Sequence, residues 1–555
     1  MSLMSGLFVG VTGLQTSQNA LNTTAHNLSN VETTGYVRQQ VLQQDKIYSN
    51  VGMASVSKMQ TGLGVEYAQV RQVRDAFLDQ SYRKENGRSA FYEVNYDTTS
   101  EIETLLGEFD GVAFQESLGD LWTSVQELQK DPTSAVTEGS LVNTATQFLE
   151  RAQAVYNGLS DYQDNLNSRI KGYVDEINEL GETILELNDK IMKEELGESE
   201  ANDLRDARNL ALDKLGALVN MSYSTNADGG VDVMIEGVSF VNRDIVFKMG
   251  VTEDSGTGFY TPVWPQNDDA PVFSVNQEIS TDLNTDIGQL KAIVLARGDR
   301  RANYTDMDEN IYNYGIIDES DPTNKVQSTG SSIIMNIQAE LDNMVHSMVT
   351  TINNILTKEY NESDPTVPTA ETYTSSDDLP NELFVRLGTA RYSENGGNYT
   401  YVEENSTDHS NIDTLYTISN LKINPTIEKT PTLLGGGFIT EDQQVDQEMA
   451  DRIADAFTNT FSALNPNLTQ EYNYQDFYAA MVGQVATTGS VYQSIVTAQE
   501  TAVSQLEDSR QQVIGVTSSE ELTNMIKYQN AYNAASRYIN ACNEMLEHLL
   551  STLGA

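Results

Sequence analysis

Four histidines, His26, His346, His409 and His548, are the side chains best suited to metal ligation or proton transfer near neutral pH. None stands at ligand spacing from another, so each reads as a surface or packed residue. The single cysteine, Cys542, gives no disulfide framework and no thiolate cluster from one chain. Ser55-Val56-Ser57-Lys58 has the bare SxxK spacing of a serine nucleophile beside a lysine, without the companion motifs that chemistry needs. Asn226, Asp228 and Asp232 have part of the spacing of a calcium loop but lack its bidentate glutamate, and they read better as a turn. The sequence holds no phosphate-binding loop, zinc HExxH helix or nucleophile elbow. With 81 Asp and Glu, carboxylate pairs arise by abundance, whereas a glycosidase would need an apolar pocket to drive two pKa values apart. No catalytic residue, cofactor or metal ligand is assigned, and a structural role is the stronger reading.

The charge distribution supports that role. Against the 81 acids stand 33 Lys and Arg, a formal net charge of −48 over 555 residues. This excludes a nucleic-acid binder, which needs a basic face to neutralise phosphates. Residues 1–100 carry eight basic and eight acidic side chains and 501–555 carry three and six, so the middle holds the remaining −45. Near-neutral ends around an acidic middle point to ends that meet protein surface and a middle that faces solvent, although an acidic surface also serves solubility by itself. No run of 18 apolar residues is present, so no membrane insertion by a helix is expected. The first basic residue is Arg38, so the opening lacks the charged region of a secretory leader and no cleaved signal is expected.

Helical periodicity dominates both ends. Leu7, Val11, Leu14, Gln18, Leu21, Ala25 and Leu28 alternate steps of four and three, predicting an amphipathic helix that stops near Asn30, ahead of Gly35. Met525, Tyr528, Tyr532, Ala535, Ile539, Cys542, Leu546, Leu549 and Leu553 repeat the pattern behind a capping box, Ser518 to Glu521. A helix with one narrow apolar strip is marginal alone in water, so the two ends are expected to pack on each other. A longer row runs from Leu141 through Leu166, then from Ile170 through Tyr173, Ile177, Leu180, Ile184 and Leu187 to Ile191, a rod of roughly 75 Å if continuous. Further helical patterns cover 112–130, 203–218, 332–357 and 444–514.

Strand-like text with Gly-rich turns fills 219–248 and continues over 250–280 and 381–425. At this length more than one core is needed. The predicted class is mainly α with β insertion: terminal helices forming a coiled coil, a long helical rod domain, and an outward β-rich middle domain. Boundaries are placed at 1–45 (N-terminal helix), 46–218 (rod, first part), 219–300 (β-rich insertion), 301–360 (helical), 361–440 (linker and second β-rich insertion), 441–514 (rod, second part) and 515–555 (C-terminal helix). Within them, 361–380 reads as an exposed linker and Gly435-Gly436-Gly437 as a hinge.

Two stretches then become recognisable. Asn27-Leu28-Ser29-Asn30-Val31-Glu32-Thr33-Thr34-Gly35-Tyr36-Val37-Arg38-Gln39 resembles the N-terminal signature of the bacterial flagellar rod, hook and hook-associated proteins, carried by Asn27, Asn30, Thr33, Gly35, Tyr36, Arg38 and Gln39. The stretch from Gly515 to Leu522, with Tyr528-Gln529-Asn530-Ala531-Tyr532 and Ala535-Ser536-Arg537-Tyr538-Ile539, resembles that group's C-terminal signature. Thr34 stands where the group usually has Pro, and Ser29 where Ala is common. Chain length, the Arg38-Gln39 ending and the long helical pattern before 202–208 resemble members at the hook–filament junction more than hook or distal-rod subunits, which remain the alternative together with an exported surface adhesin.

The resemblance implies export by the flagellar type III apparatus, location at the hook–filament junction, and self-assembly into a junction ring. It implies as partners the hook protein, the second junction protein (hook-associated protein 3), and an export chaperone at the C-terminal helix; no cofactor is implied. On this reading Leu7, Leu14, Leu21 and Leu28 pair with Tyr532, Ile539, Leu546, Leu549 and Leu553, within a subunit and between neighbours, and the ends of a lone subunit stay loose until assembly.

Overall fold

The computed structural model describes residues 3–46, 49–54, 57–61, 63–107, 114–197, 200–317, 325–357, 372–376, 379–406, 411–434 and 445–553. His409, Ser55, Val56, the Gly435–Gly437 stretch and most of the 361–380 stretch lie outside them. In chain order the helices are α1 (Leu3–Ser29), α2 (Ala76–Leu106), α3 (Phe114–Lys130), α4 (Ala135–Glu195), α5 (Asn202–Leu218), α6 (Gln289–Arg297), α7 (Glu309–Tyr314), α8 (Ile333–Thr357), α9 (Pro425–Lys429), α10 (Gln447–Thr458), α11 (Tyr474–Ile514) and α12 (Ser518–Leu553). Among the described residues the sheets are antiparallel and have two or three strands each. The architecture is mainly α with small β insertions.

The chain divides into two compact units. Unit 1 gathers Met1–Ser89, Asp175–Lys248 and Ala498–Ala555, so both chain ends belong to it. After α1, strand β1 (Gln39–Asp45) pairs with β4 (Val65–Gln72), and between them β2 (Ser49–Ala54) pairs with β3 (Ser57–Thr61). Strands β5 (Met221–Thr225), β6 (Val231–Ile235) and β7 (Val238–Val241) form the meander expected from the Gly-rich turns. The Asn226–Gly230 segment is the β5–β6 turn, closed by Asn226 N–H on Gly230 O at 2.8 Å.

The helix from 135 to 195 is continuous, but its buried line departs from the apolar row read from sequence. From Ile170 onward the inward positions are Val174, Ile177, Gly181, Ile184, Asn188 and Ile191, while Tyr173, Leu180 and Leu187 flank them half-buried. Gly181 is inward because a Cβ there would lie 2.5 Å from Phe240 Cζ, so only glycine lets the meander's ring settle on the helix. Asn188 is inward because its amide pairs with the backbone of Val231, accepting from N at 3.1 Å and donating to O at 2.8 Å.

Unit 2 comprises Ala90–Val174 and Met249–Thr497. It contains β8 (Gly250–Glu253), β9 (Tyr260–Trp264) and β10 (Ala270–Pro271) as one sheet, and β11 (Thr372–Tyr373), β13 (Tyr392–Asn395) and β14 (Asn398–Tyr401) as another. Two further pairs are β12 (Phe384–Arg386) with β15 (Leu421–Ile423), and β16 (Ser462–Ala463) with β17 (Glu471–Tyr472). Nearly all of α8 is buried, its apolar side from Ile334 to Ile355 forming much of the core. Its polar residues tie other segments to it: Asp342 accepts from Tyr304 N at 2.9 Å and Ile418 N at 2.7 Å. The helical pattern read over 444–514 is interrupted: α10 and α11 are separated by the β16–β17 hairpin, where Pro466 between two asparagines removes a helix donor.

One device recurs in both units. A helix-borne asparagine presents its amide to a strand as another strand would, accepting an N–H and donating to a C=O. Asn188 does so to Val231, Asn167 to Tyr260 N (2.7 Å) and Gly258 O (3.0 Å), and Asn353 to Leu383 and Phe384 N (both 3.0 Å) and Phe384 O (2.7 Å). Buried amides satisfied on both sides fix register where the sheets are too small to fix their own.

Candidate assembly interface

The three described histidines lie apart from one another. His26 Nε2 lies 3.4 Å from Asp203 Oδ1, His346 Nε2 3.0 Å from Glu404 Oε2, and His548 sits exposed on α12. Among the described residues no three His, Cys, Asp or Glu are grouped as a metal ion requires. The residues that do converge are the two recognised stretches at the chain ends, both in unit 1.

Helices α1 and α12 pack antiparallel. Gly6 meets Tyr538 and Cys542, Gly10 meets Ile539, Gly13 meets Ala535, and Asn27 meets Glu521. The face of α12 is the predicted row: Met525, Tyr528, Tyr532, Ala535, Ile539 and Leu546 are half-buried and Cys542 is buried. The face of α1 is one residue out of phase with the predicted row. Its inward line is Gly6, Gly10, Gly13, Ser17, Ala20, Thr24 and Asn27, again in steps of four and three, because small side chains allow close approach. Leu7, Leu14, Leu21 and Leu28 therefore do not form the centre of the intrachain seam; they stay half-buried beside it, with Val11 and Phe8 exposed. On α12, Leu549 is 41 % exposed, and Ile526, Met545 and Leu550 more so; Leu553 closes the helix.

At the far end of the seam the N-terminal signature forms a polar knot. The Asn27 amide is fully used: Oδ1 accepts from Tyr36 Oη at 2.7 Å and Gln39 N at 3.0 Å, while Nδ2 donates to Gln39 O at 2.9 Å and Glu521 Oε2 at 3.1 Å. Asn30 folds back on His26 O at 3.0 Å and accepts from Thr33 Oγ1 at 3.1 Å. Gly35 has φ +82° and rests on Leu210 of α5, a left-handed turn that explains glycine there. Gln39 donates to Asp203 at 2.8 Å. Arg38 donates to Glu521 Oε1 at 3.0 Å and lies 3.1 Å from Glu520 Oε2, so the Glu521 carboxylate, read from sequence as half of a capping box, is taken up by Arg38 and Asn27.

Beneath the knot lies a buried charge network that sequence alone did not single out. Asp206 accepts from Val37 N at 3.0 Å and Gln72 Nε2 at 2.6 Å; burial pushes its carboxyl up to about 7, against those bonds and Arg74. Arg510 donates to Asp79 at 2.9 Å, Asp213 at 2.8 Å and Glu507 at 2.9 Å, and Arg83 donates to Asp213 at 2.6 Å. Burial opposes the Arg510 charge, but these three carboxylates hold it protonated. A polar cleft of about 550 Å³ opens between the 30–37 turn and these groups.

Comparisons with known proteins converge on one group. Residues 99–366 match the family described as the flagellar hook-associated protein FlgK helical domain, 512–552 the flagellar basal body rod FlgEFG protein C-terminal family, and 7–36 the flagella basal body rod protein family. Flagellar hook-associated protein 1 of Bacillus subtilis is 24% identical, spanning 100% of this chain and 99% of that protein. The Escherichia coli protein of that name is 21% identical, with 98% of each chain covered. A solved flagellar hook junction protein, FlgK of Burkholderia pseudomallei, shares the fold with a TM-score of 0.51 at 11% identity, over 78% of this chain and 99% of that one. Nothing in these matches favours an adhesin.

Proposed function

Because the chain belongs to the family of flagellar hook-associated proteins, we propose that it is a structural subunit whose paired terminal helices bundle with those of further copies to join hook to filament. The observation supporting this most directly is that α1 meets α12 through its small residues rather than its leucines. That arrangement leaves the Leu7, Leu14, Leu21 and Leu28 row half open and the Met545, Leu549 and Leu550 end of α12 exposed. Burying what remains open of each such side chain between copies is worth about 1 kcal/mol, and more for exposed Met545 and Leu550, repeated around a ring.

In this reading the chain makes and breaks no covalent bond. It is exported by the flagellar type III apparatus, caps the hook protein, and seats the second junction protein, hook-associated protein 3. An export chaperone takes residues 515–555 beforehand and shields their apolar side. In keeping with a subunit that does not insert in a membrane, no helix among the described residues is long and apolar enough to cross one.

The deciding experiment is a strain in which Leu21→Asp replaces the parent residue. Bare hooks with flagellin lost to the medium are expected, from a protein whose unit 2 still melts cooperatively. Normal motility in that strain would overturn the reading.

A further inference from the structure

We propose that Arg38 is the positioning residue of the terminal helix pair, a splint that fixes the direction in which α12 leaves α11. Only its consequence for assembly rests on the function proposed above.

The helical path breaks after Ile514. Gly515 N–H still bonds back to Gln511 O at 2.8 Å, and a Cβ at 515 would lie 2.3 Å from that carbonyl, so the chain turns away here on a glycine. α12 starts at Ser518, with Glu521 N–H on Thr517 O at 3.0 Å. The joint is only Gly515, Val516 and Thr517, with Val516 half-buried and Thr517 exposed, so polar ties from outside it are needed to fix its angle.

Arg38 touches both sides of it. Its backbone N–H donates to Ile514 O, the last carbonyl of α11, at 2.9 Å. Its guanidinium reaches the first turn of α12, Nε on Glu521 Oε1 at 3.0 Å and Nη1 on Glu520 Oε2 at 3.1 Å. The splint is itself held. Val73 N–H donates to Arg38 O at 3.0 Å, Val37 is fixed by Asp206, and Gln39 is gripped on both backbone atoms by Asn27.

The Glu521 side chain is only 2% exposed, and its second oxygen goes to Asn27, so both carboxylate oxygens are committed at the joint. Two nitrogens of one planar group addressing two separate carboxylates is a task for arginine; a lysine ammonium cannot point along both directions from one stem. Two adjacent acids in the first turn also suit the positive end of the α12 dipole, so without Arg38 they would still favour the helix but would not orient it.

The test uses the full-length chain with Cys542→Ser, nitroxide labels at Ser504→Cys on α11 and Asn533→Cys on α12, and pulsed electron resonance to read the distance distribution across the joint. A single narrow distribution is expected for the parent and for an Arg537→Gln control. It should be lost in Arg38→Gln and also in Arg38→Lys, which keeps the charge but not the fork. In a parallel set, Gly6→Cys is introduced with Cys542 retained. A Cβ at position 6 lies 3.6 Å from Cys542 Sγ, so an intrachain disulfide reports that α1 and α12 remain paired. Broadening with that disulfide intact is the expected result. A broad distribution in the parent, an unchanged one in Arg38→Gln, or broadening accompanied by loss of the disulfide overturns the splint. Broadening with undiminished assembly onto hooks would keep the splint and overturn the assembly role.

Discussion

Replacing single glycines of α1 by alanine should separate the two properties that glycine brings to this helix. Alanine is favoured over glycine in a helix interior by about 1 kcal/mol. At Gly13 a new Cβ would find Ala535 Cβ at 3.8 Å, an ordinary contact, so Gly13→Ala should stabilise the α1–α12 pair by about 1 kcal/mol. At Gly10 the same Cβ would lie 2.7 Å from Ile539 Cγ1 and 3.1 Å from Tyr538 Cδ1. The helices must then separate or Ile539 must leave its rotamer, an overpacking cost of about 1–3 kcal/mol that cancels or exceeds the propensity gain. Gly10→Ala is therefore expected to be neutral or destabilising by up to about 2 kcal/mol. Hydrogen exchange of the α1 amides in the full-length chain reads local opening of this pair directly. Equal protection gains in the two variants would refute the conclusion that close approach at Gly10 sets the seam.

Other substitutions examine the polar ties. The Asp206 carboxyl, raised to about 7 from an ordinary 3.8, binds its proton more tightly folded than unfolded. Unit 1 should thus gain stability as pH falls from 8 towards 4 and lose it as pH rises through 7, by up to about 4 kcal/mol from this group. Asp206→Asn should flatten that slope relative to the parent in denaturant titrations, and an identical slope would refute the assignment. Arg510→Met leaves Asp79 and Asp213 with Arg74 and Arg83 alone, and a loss of about 3 kcal/mol is expected in chemical unfolding. Asn188→Leu removes the amide that serves Val231 N, Val231 O and Arg208 Nη1; about 1–3 kcal/mol should be lost, with the Asn226–Gly230 turn becoming the first protease-sensitive site.

Helix positions were legible in the sequence because period and punctuation are local: α1, α3, α5, α8 and α12 begin and end within a few residues of their predicted limits. The phase of their contact faces was less legible. Along α1 and the second half of α4 the inward positions include Gly10, Gly13, Ser17, Gly181 and Asn188, chosen for the space they leave or the backbone they bind, and a hydrophobic count passes over them. Helix α2 escaped the periodicity reading for a related reason, since Phe91, Val94 and Ile102 share its buried side with Arg83, Asn95, Thr98 and Thr99. The signature residues were visible as a motif. Their partners, Asp203, Asp206 and Glu521, stand 164 to 494 positions away, and no local pattern could have joined them.

The asparagines that grip strands also bear on chemical lifetime. Asn27, Asn188 and Asn353 are almost wholly shielded from water, each with its amide engaged on a backbone. Hydrolysis of one such group to a carboxylate would exchange a donor for a negative charge facing a carbonyl, and a small sheet would come unpinned from its helix. Keeping those amides dry protects the anchors, so slow ageing of the protein should begin at its exposed Asn-Gly turn, Asn395-Gly396, before it reaches them.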